Sequence, residues 1–192
     1  MFRELLTSEF RTYAELSGLQ LEQLEQHYNL LLRWNQSLNL TRISDISDSV
    51  RFHYCESLYL GLKLPPGPLN IADVGSGAGF PGIPIAVVRP ESQLTLIESH
   101  KRKSVFLREA ARDLKNVRVL SIRADEVADP FDWVVSRAVA PADVLAAKLS
   151  PCYALLVAAK DAPSGSDIFK CPWGEDRNIS VPRGTCEITF RR

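Results

Sequence analysis

Apolar residues near the start of the chain recur at helical spacing. They stand three, four or seven positions apart, at Leu21, Leu24, Tyr28, Leu31 and Leu38. A stripe with this period indicates an amphipathic helix that packs one face against a core. Ser17-Gly18 predicts a break between two helices within residues 1–42.

A second helical stretch is predicted over residues 44–62, with apolar positions at Val50, Cys55, Leu58 and Leu62. The proline-rich run at residues 64–68 then interrupts the pattern, because proline lacks the amide proton that a continuing helix needs. We therefore predict an N-terminal helical cap over residues 1–64 and one compact core over residues 65–192.

Beyond that boundary, short apolar runs alternate with amphipathic ones. The predicted strands cover residues 69–74, 93–98, 117–122, 131–136 and 153–159, and the predicted helices cover residues 83–88, 101–114 and 142–149. Strands that alternate with helices form a mostly parallel α/β sheet with helices on both faces. Residues 179–181 and 187–190 are predicted to pair as a closing antiparallel hairpin.

Composition excludes several classes of function. Among 192 residues, 23 basic side chains balance 23 acidic ones, so a polyanion would have to bind a local basic patch. No run of about 18 apolar residues predicts a membrane span, and the N-terminus does not resemble a signal peptide. The cysteines are far apart, which predicts free thiols in a reducing cytoplasm and no metal site. They are Cys55, Cys152, Cys171 and Cys186.

A glycine-rich turn follows the first predicted strand, at residues 73–82. Glycines permit a positive φ and let a ligand approach the backbone closely, so a strand, this turn and a helix predict a nucleotide pocket. Gly77, Gly79 and Gly82 also satisfy the G-x-G-x-x-G pattern of dinucleotide-binding folds. The turn by itself therefore does not distinguish a dinucleotide from another nucleotide-like cofactor.

Acidic residues near the predicted strand ends favour S-adenosylmethionine over a dinucleotide. Asp73, just before the glycines, would repel a pyrophosphate but suits a sulfonium and an α-amino group. Asp125 follows the third strand, where it can accept from an adenine amino group. Glu98 ends the second strand and can accept both ribose hydroxyls, which either cofactor requires. We predict S-adenosylmethionine as cofactor and S-adenosylhomocysteine as product.

Several sequence runs resemble the RsmG (GidB) family of bacterial 16S rRNA (guanine-N7) methyltransferases. The resemblance covers about residues 20–160. It is carried by Asp-Val-Gly-Ser-Gly-Ala-Gly-Phe-Pro-Gly-Ile-Pro at 73–84, Leu-Thr-Leu-Ile-Glu at 94–98, Lys101-Arg102 and Ser-Arg-Ala at 136–138. Trp34-Asn35, Asn39-Leu40-Thr41 and the stretch from His53 to Leu58 are similar to the same family. It implies a Rossmann-like class I methyltransferase fold.

The resemblance also implies roles for individual positions. The turn would contact the cofactor, Glu98 would hold the ribose, and Ala124 and Asp125 would frame the adenine. Arg137 would stand between cofactor and substrate as the catalytic residue. The implied cofactor-binding set is Asp73, Gly75, Gly77, Gly79, Phe80, Glu98, Ala124, Asp125 and Arg137. Two departures stand out, because Glu56 replaces the usual aspartate and Asp161 replaces the glycine that follows Lys160.

Guanine N7 carries a lone pair in the ring plane, so its methylation requires no general base. Catalysis would come mainly from aligning N7, methyl and sulfur. Because an arginine forked onto O6 and N7 would block the nucleophile, recognition is expected at O6 and the Watson–Crick edge of an unstacked base. Arg137 could donate to O6, stack on the base or contact a phosphate, and an ion pair with Asp132 or another acid is the alternative.

The RNA-binding surface would consist of local basic residues. The candidates are Arg33, Arg42, Arg51, Lys101, Arg102, Lys103 and, from the resemblance, Lys160. Trp34 is either a base-stacking residue or part of the core. The expected partner is 16S rRNA or the 30S subunit, with no membrane, and the protein is expected to be a cytoplasmic monomer. Alternatives are a methyltransferase for another RNA, a protein or a small molecule, an NAD-dependent oxidoreductase, and a non-catalytic binding module.

Overall fold

Helices form the first third of the chain. The computed structural model describes residues 1–43, 45–184, 186 and 188. The helices are α1 (Phe2–Phe10), α2 (Gly18–Leu38), α3 (Ile46–Ser49), a π-helix (Val50–Cys55) and α4 (Glu56–Lys63). Ser17 begins α2 with a capping box, in which its hydroxyl accepts from Gln20 N and the Gln20 side chain accepts from Ser17 N. The predicted break at this position is confirmed.

A mostly parallel sheet follows, as the alternating pattern predicts. Its strands are β1 (Asn70–Val74), β2 (Gln93–Ile97), β3 (Val117–Leu120), β4 (Trp133–Arg137), β5 (Tyr153–Val157), β6 (Ser166–Lys170) and β7 (Asn178–Pro182). They lie in the order β3-β2-β1-β4-β5-β7-β6. The first five are mutually parallel, and β7 lies antiparallel between β5 and β6. The helices between the strands are α5 (Gly82–Val88), α6 (Lys101–Ala110) and α7 (Pro141–Ala146).

The prediction that residues 179–181 pair with residues 187–190 in a closing hairpin was wrong. Strand β7 pairs with β6, at residues 166–170, on one edge and with β5 on the other, so both of its edges are occupied. Of that second run, only Ile188 lies within the described residues. The sequence reading missed β6 because this short edge strand, bounded by Gly165, alternates exposed and partly buried side chains without a continuous apolar run.

The parallel strands β1 to β5 each contribute to two hydrophobic clusters, because successive side chains point to opposite faces. On one face, Ile71 packs with Tyr54 and Leu58 of the N-terminal helices. On the other face, Ala72 and Val144 belong to a second buried cluster. The helical segment therefore shares a core with the sheet, and the division of the chain at residues 64 and 65 stays a prediction.

Two of the four cysteines are not free thiols. Cys152 and Cys186 form a disulfide with their Cα atoms 5.8 Å apart, whereas Cys55 and Cys171 are free and buried. The expectation of four free thiols was wrong for this pair. The antiparallel return of β7 brings the chain after it back towards the start of β5, and nothing in the spacing of the cysteines reveals that approach.

Arg89 fixes the proline-rich loop between α4 and β1. Its guanidinium is buried and donates to four backbone carbonyls, with distances of 2.6 to 3.2 Å. The acceptors are Gly61, Leu64, Pro65 and Gly67. The loop has few internal hydrogen bonds of its own, since its prolines lack donors. One side chain thus positions the start of the sheet against the helices.

We predict that Arg89→Met destabilises the fold by about 3 kcal/mol, because several carbonyls lose their donor at once. Urea unfolding followed by circular dichroism measures the change. Arg112→Met is the matched control, since the Arg112 side chain is 67% exposed and should change the free energy of unfolding by less than about 0.5 kcal/mol. Equal effects of the two substitutions would contradict this role.

Candidate functional site

The glycine turn after β1 borders a cavity of ≈ 640 Å³ at the carboxyl ends of β1, β2 and β4. Gly75, Gly77 and Gly79 have φ values of 72°, 54° and 88°, which other residues rarely adopt. The amides of Gly75 and Ser76 donate to the Ile97 carbonyl at distances of 2.9 and 3.2 Å. These bonds fasten the turn to the end of β2, in the crevice where open α/β sheets bind ligands.

Seven of the nine predicted cofactor-binding residues line this cavity together. They are Gly75, Gly77, Phe80, Glu98, Ala124, Asp125 and Arg137. Asp73 and Gly79 do not line it. Asp73 and Gly79 therefore serve the turn itself, and cofactor binding by the residues that line the cavity stays a prediction.

Asp73 lies beneath the turn and not in the cavity. Its side chain is wholly buried, and its Oδ2 accepts from Gly82 N at 2.9 Å. Asp73 occupies the same strand face as Ile71, towards the helices, which turns its carboxyl away from the ligand. Burial raises the pKa of Asp73 to about 7, despite the hydrogen bond from Gly82 N, which lowers it. Asp73 therefore does not make the expected contact with a sulfonium or amino group of the cofactor.

Close packing explains the last two glycines of the turn. A Cβ on Gly79 would meet the Ile83 side chain, so this position serves contact with α5 and not with a ligand. A Cβ on Gly82 would lie 2.6 Å from Asp73 Oδ2 and would also collide with Leu96. Only glycine lets the start of α5 approach β1 and β2 this closely.

Glu98 is held at the cavity edge by two backbone amides. Oε2 accepts from Gly77 N at 3.0 Å, and Oε1 accepts from His100 N at 2.8 Å. A carboxylate has about four acceptor positions, so each oxygen retains capacity for a ligand hydroxyl. Across the cavity, Asp125 lies in a 3₁₀ turn (Ala124–Glu126), with its Oδ1 3.0 Å from Arg123 Nε.

The N-terminal helical segment supplies part of the cavity lining. Leu40, Thr41 and His53 all contribute, and His53 stacks on Phe80 with ring centroids 4.6 Å apart. Thr41 Oγ1 lies 2.7 Å from His53 Nε2. Burial and then the charges of Arg137 and Arg177 lower the pKa of His53 to about 3, so the ring is neutral at neutral pH. We did not assign Thr41 or His53 to the pocket from sequence, although both lie in runs that carry the family resemblance.

The Arg137 guanidinium is engaged by protein groups. Its Nη1 lies 3.6 Å from Glu56 Oε2 and also donates to the Phe52 carbonyl. Arg137 therefore forms the ion pair that was predicted from the sequence as its alternative role, and Glu56 is the acidic partner. Asp132 instead accepts from Asn70 N at 2.7 Å. Burial raises the pKa of Glu56 to about 7, against the opposing influence of the neighbouring arginines.

The basic residues predicted to contact RNA are mostly exposed. Those at the surface are Arg33, Arg42, Arg51, Lys101, Arg102 and Lys160. Arg51, however, donates twice to Glu9 Oε1, at 2.9 and 2.7 Å, so its charge is already paired. Lys103 lines the cavity. Trp34 contacts Phe106 edge to face at 5.8 Å and is partly buried against the core.

Two kinds of feature are absent from the described residues. In that part of the chain, no helix is long and apolar enough to cross a membrane. No group of three or more histidine, cysteine or acidic side chains that could hold a metal ion occurs there either.

Comparison with known proteins identifies relatives of this chain. Residues 20–158 match the GidB family, described as rRNA small subunit methyltransferase G. The chain is 40% identical over 161 residues to the ribosomal RNA small subunit methyltransferase G of Roseiflexus sp. (strain RS-1), covering 80% of this chain and 68% of that protein. It is 33% identical over 184 residues to that of Prochlorococcus marinus (strain NATL2A), covering 90% and 71%.

A third relative is covered less fully. The chain is 43% identical over 130 residues to the protein of the same name from Halorhodospira halophila (strain DSM 244 / SL1). That match covers 66% of this chain and 61% of the relative. The chain thus spans between about three fifths and seven tenths of the lengths of these relatives.

Solved structures show the same fold at low sequence identity. A SAM dependent methyltransferase from Aquifex aeolicus has a TM-score of 0.53 and 16% identity, over 74% of this chain and 95% of that one. The Methanococcus jannaschii fibrillarin pre-rRNA processing protein has a TM-score of 0.50 and 17% identity, over 66% and 72%. The prediction of a Rossmann-like class I methyltransferase fold is confirmed.

The buried Asp73 generates a prediction about pH. Its pKa is higher in the folded protein than the ordinary value of 3.8, so the folded state binds more protons between pH 4 and 7. The free energy of unfolding therefore falls as pH rises through this window. Asp73→Asn cannot titrate but still offers an oxygen to Gly82 N, so wild type should lose roughly 1 kcal/mol per pH unit relative to the variant.

Urea unfolding at pH 5, 6 and 7 measures this difference. Glu56 titrates in both proteins, so its contribution cancels in the comparison. Asp113→Asn serves as control, because the Asp113 side chain is 73% exposed. If Asp73→Asn and wild type follow parallel curves, the buried carboxyl does not titrate in this window.

Proposed function

The chain belongs to the rRNA small subunit methyltransferase G (GidB) family, and from that premise we propose that it methylates N7 of a guanosine in 16S rRNA, with S-adenosylmethionine as donor. The observation that carries the proposal is the cavity at the strand ends. Its lining combines a backbone turn with carboxylates at three separate positions, which suits a ligand that bears an amino acid group, a ribose and an adenine.

The residues present fit this cofactor. Glu98 is oriented by the amides of Gly77 and His100 and would accept from the ribose hydroxyls. Asp125, with the Ala124 backbone, would meet the adenine amino group. A Cβ at Gly75 would collide with Val139, so glycine at this position lets the turn pack against the segment after β4 at the cavity edge. The cofactor, when bound, supplies an electrophilic methyl group on a sulfonium.

The contribution of the protein is alignment and exclusion of water. Guanine N7 attacks with its own lone pair, so no residue has to remove a proton before transfer. His53 is buried and neutral, and its stacking on Phe80 makes it part of the cavity wall. Holding the reacting atoms in line supplies up to about 7–11 kcal/mol in favourable cases.

The RNA would bind through a local basic surface, since the whole chain carries no net charge. The candidate phosphate-binding residues are the exposed Arg33, Arg42, Lys101, Arg102 and Lys160. Arg51 is removed from that set because Glu9 already pairs with it. We propose 16S rRNA, free or in the 30S subunit, as the partner, and a monomer acting in the cytoplasm.

The activity is tested by incubating the protein with methyl-labelled S-adenosylmethionine and 16S rRNA or 30S subunits that lack the modification. Nuclease digestion and chromatography of the nucleosides should place the label in 7-methylguanosine. Fully methylated rRNA is the control and should take up no label. Label in any other nucleoside, or transfer only to protein or small molecules, would refute the proposed acceptor.

A second prediction concerns the cofactor. Gly75→Ala should weaken S-adenosylhomocysteine binding at least roughly tenfold in calorimetry, because the new methyl collides with Val139 at the cavity edge. Gly67→Ala is the matched control, since Gly67 also has a positive φ of 90° but has nothing within 4 Å of its Cβ position. An unchanged dissociation constant for Gly75→Ala would remove the turn from the cofactor site.

A further inference from the structure

A second cavity, of ≈ 630 Å³, adjoins the first. The two share one stretch of lining, Arg137, Ala138 and Val139, which we call the shared segment. Ala138 in this segment has a φ of 61°, in the left-handed region that non-glycine residues rarely adopt. In a direct methyl transfer the acceptor atom must meet the methyl in line with the sulfur. The acceptor site must therefore adjoin the cofactor cavity, and the second cavity does so along the shared segment.

The lining of the second cavity suits a flat base with a polar edge. Apolar side chains of Pro141, Leu156 and Val157 form part of it. Its polar lining comprises Glu56, Arg137, Asp161, Asp176, Arg177 and Asn178. A purine has apolar faces and concentrates its hydrogen-bonding groups at its rim, so a cavity with this mixture matches one base and not a string of phosphates.

Glu56 is the unusual member of this set. Its side chain is only 1% exposed, and its Oε1 has no hydrogen-bond partner among the described residues. Oε2 lies 3.6 Å from Arg137 Nη1 and 3.5 Å from Arg177 Nη1. A buried carboxylate oxygen without a donor is costly, so it calls for an explanation beyond the stability of the fold.

Arg177 places a donor beside that unused acceptor. Its guanidinium lies over the Phe52 ring at 5.1 Å from the centroid, and the side chain is 37% exposed. An arginine donor next to a carboxylate acceptor complements the Watson–Crick edge of guanine, where the O6 acceptor adjoins the N1–H and N2 amino donors. Adenine presents the opposite order at the first two positions, a donor and then an acceptor.

We propose that the second cavity receives the acceptor guanine, whose O6 accepts from Arg177 and whose N1–H and N2 amino group donate to Glu56. Arg137 is then a positioning residue, because its guanidinium is engaged by Glu56 and the Phe52 carbonyl. This assignment leaves N7, on the Hoogsteen edge beside O6, free of any donor. It rests on the proposed function, since it takes guanine as the acceptor.

The test measures base recognition apart from methyl transfer. GMP, IMP and AMP are titrated by nuclear magnetic resonance into protein saturated with S-adenosylhomocysteine. All three carry the same phosphate, and IMP differs from GMP only by lacking the N2 amino group. Wild type should bind GMP most tightly, IMP less tightly and AMP least, with roughly tenfold between GMP and AMP.

Variants then assign the two contacts. Glu56→Gln should abolish the difference between GMP and IMP, and Glu56→Asp, which keeps the charge, should restore much of it. Arg177→Gln should reduce the preference for GMP over AMP while leaving the Glu56–Arg137 pair in place. Arg177→Gln remains informative if Glu56→Gln fails to fold. Glu175→Gln is the control, because Glu175 is exposed and does not line the cavity.

The outcomes separate this inference from the proposed function. Equal binding of the three nucleotides by wild type, or variants that keep the wild-type order within twofold, would overturn the inference. Methyl transfer to rRNA reduced roughly tenfold in both variants, with unchanged affinity for S-adenosylhomocysteine, would support it. If wild type transfers no methyl to 16S rRNA, the proposed function fails by itself, whatever the nucleotide titrations show.

Discussion

The hydrogen bond from Gly82 N to the buried Asp73 carboxyl is the contact on which the rest of the site depends. It joins the end of β1 to the first turn of α5, and the absence of a Cβ at Gly82 is what permits so short a separation. With these two ends fixed, the intervening glycines must bulge outwards over the sheet edge, where their amides reach the Ile97 carbonyl and the Glu98 carboxylate. The cofactor cavity is the space that this bulge borders. Asp73 thus shapes the pocket without entering it, and its elevated pKa is the electrostatic cost of doing so beneath the turn.

Local patterns in the sequence predicted the parts of the fold that are built locally. The alternation of strands and helices and the glycines after β1 are written in consecutive residues, so both could be read without knowing any tertiary contact. The direction of Asp73 could not, because it depends on which sheet face receives the N-terminal helices. Nor could the pairing of Arg137 with Glu56, since those residues lie far apart in the chain and meet only when α4 docks on the sheet. The same holds for Cys152 and Cys186, and for the pairing of β6 with β7.

The family match and the structural contacts support conclusions about different parts of the chain. The family match spans residues 20–158, which include every residue that lines the cofactor cavity. Membership of an rRNA methyltransferase family therefore favours a methyltransferase over an NAD-dependent oxidoreductase with the same type of sheet. The second cavity draws partly on residues beyond that match, with Asp161, Asp176, Arg177 and Asn178 among its lining. Its chemistry is argued from contacts alone, and the Glu56–Arg177 pair is the feature that connects this later part of the chain to the helices at its start.

The shared segment has a consequence for the order of events at the site. Both cavities are bordered by Arg137, Ala138 and Val139. A ligand in one cavity that restricts these residues therefore also changes the lining of the other cavity. Where a ligand in one cavity alters these residues, its binding is thermodynamically linked to binding in the other cavity. By reciprocity, any factor by which the first ligand strengthens binding of the second must equal the factor by which the second strengthens binding of the first. Through these three residues at the end of β4, binding of the methyl donor would affect binding of the acceptor base, and the reverse, before methyl transfer.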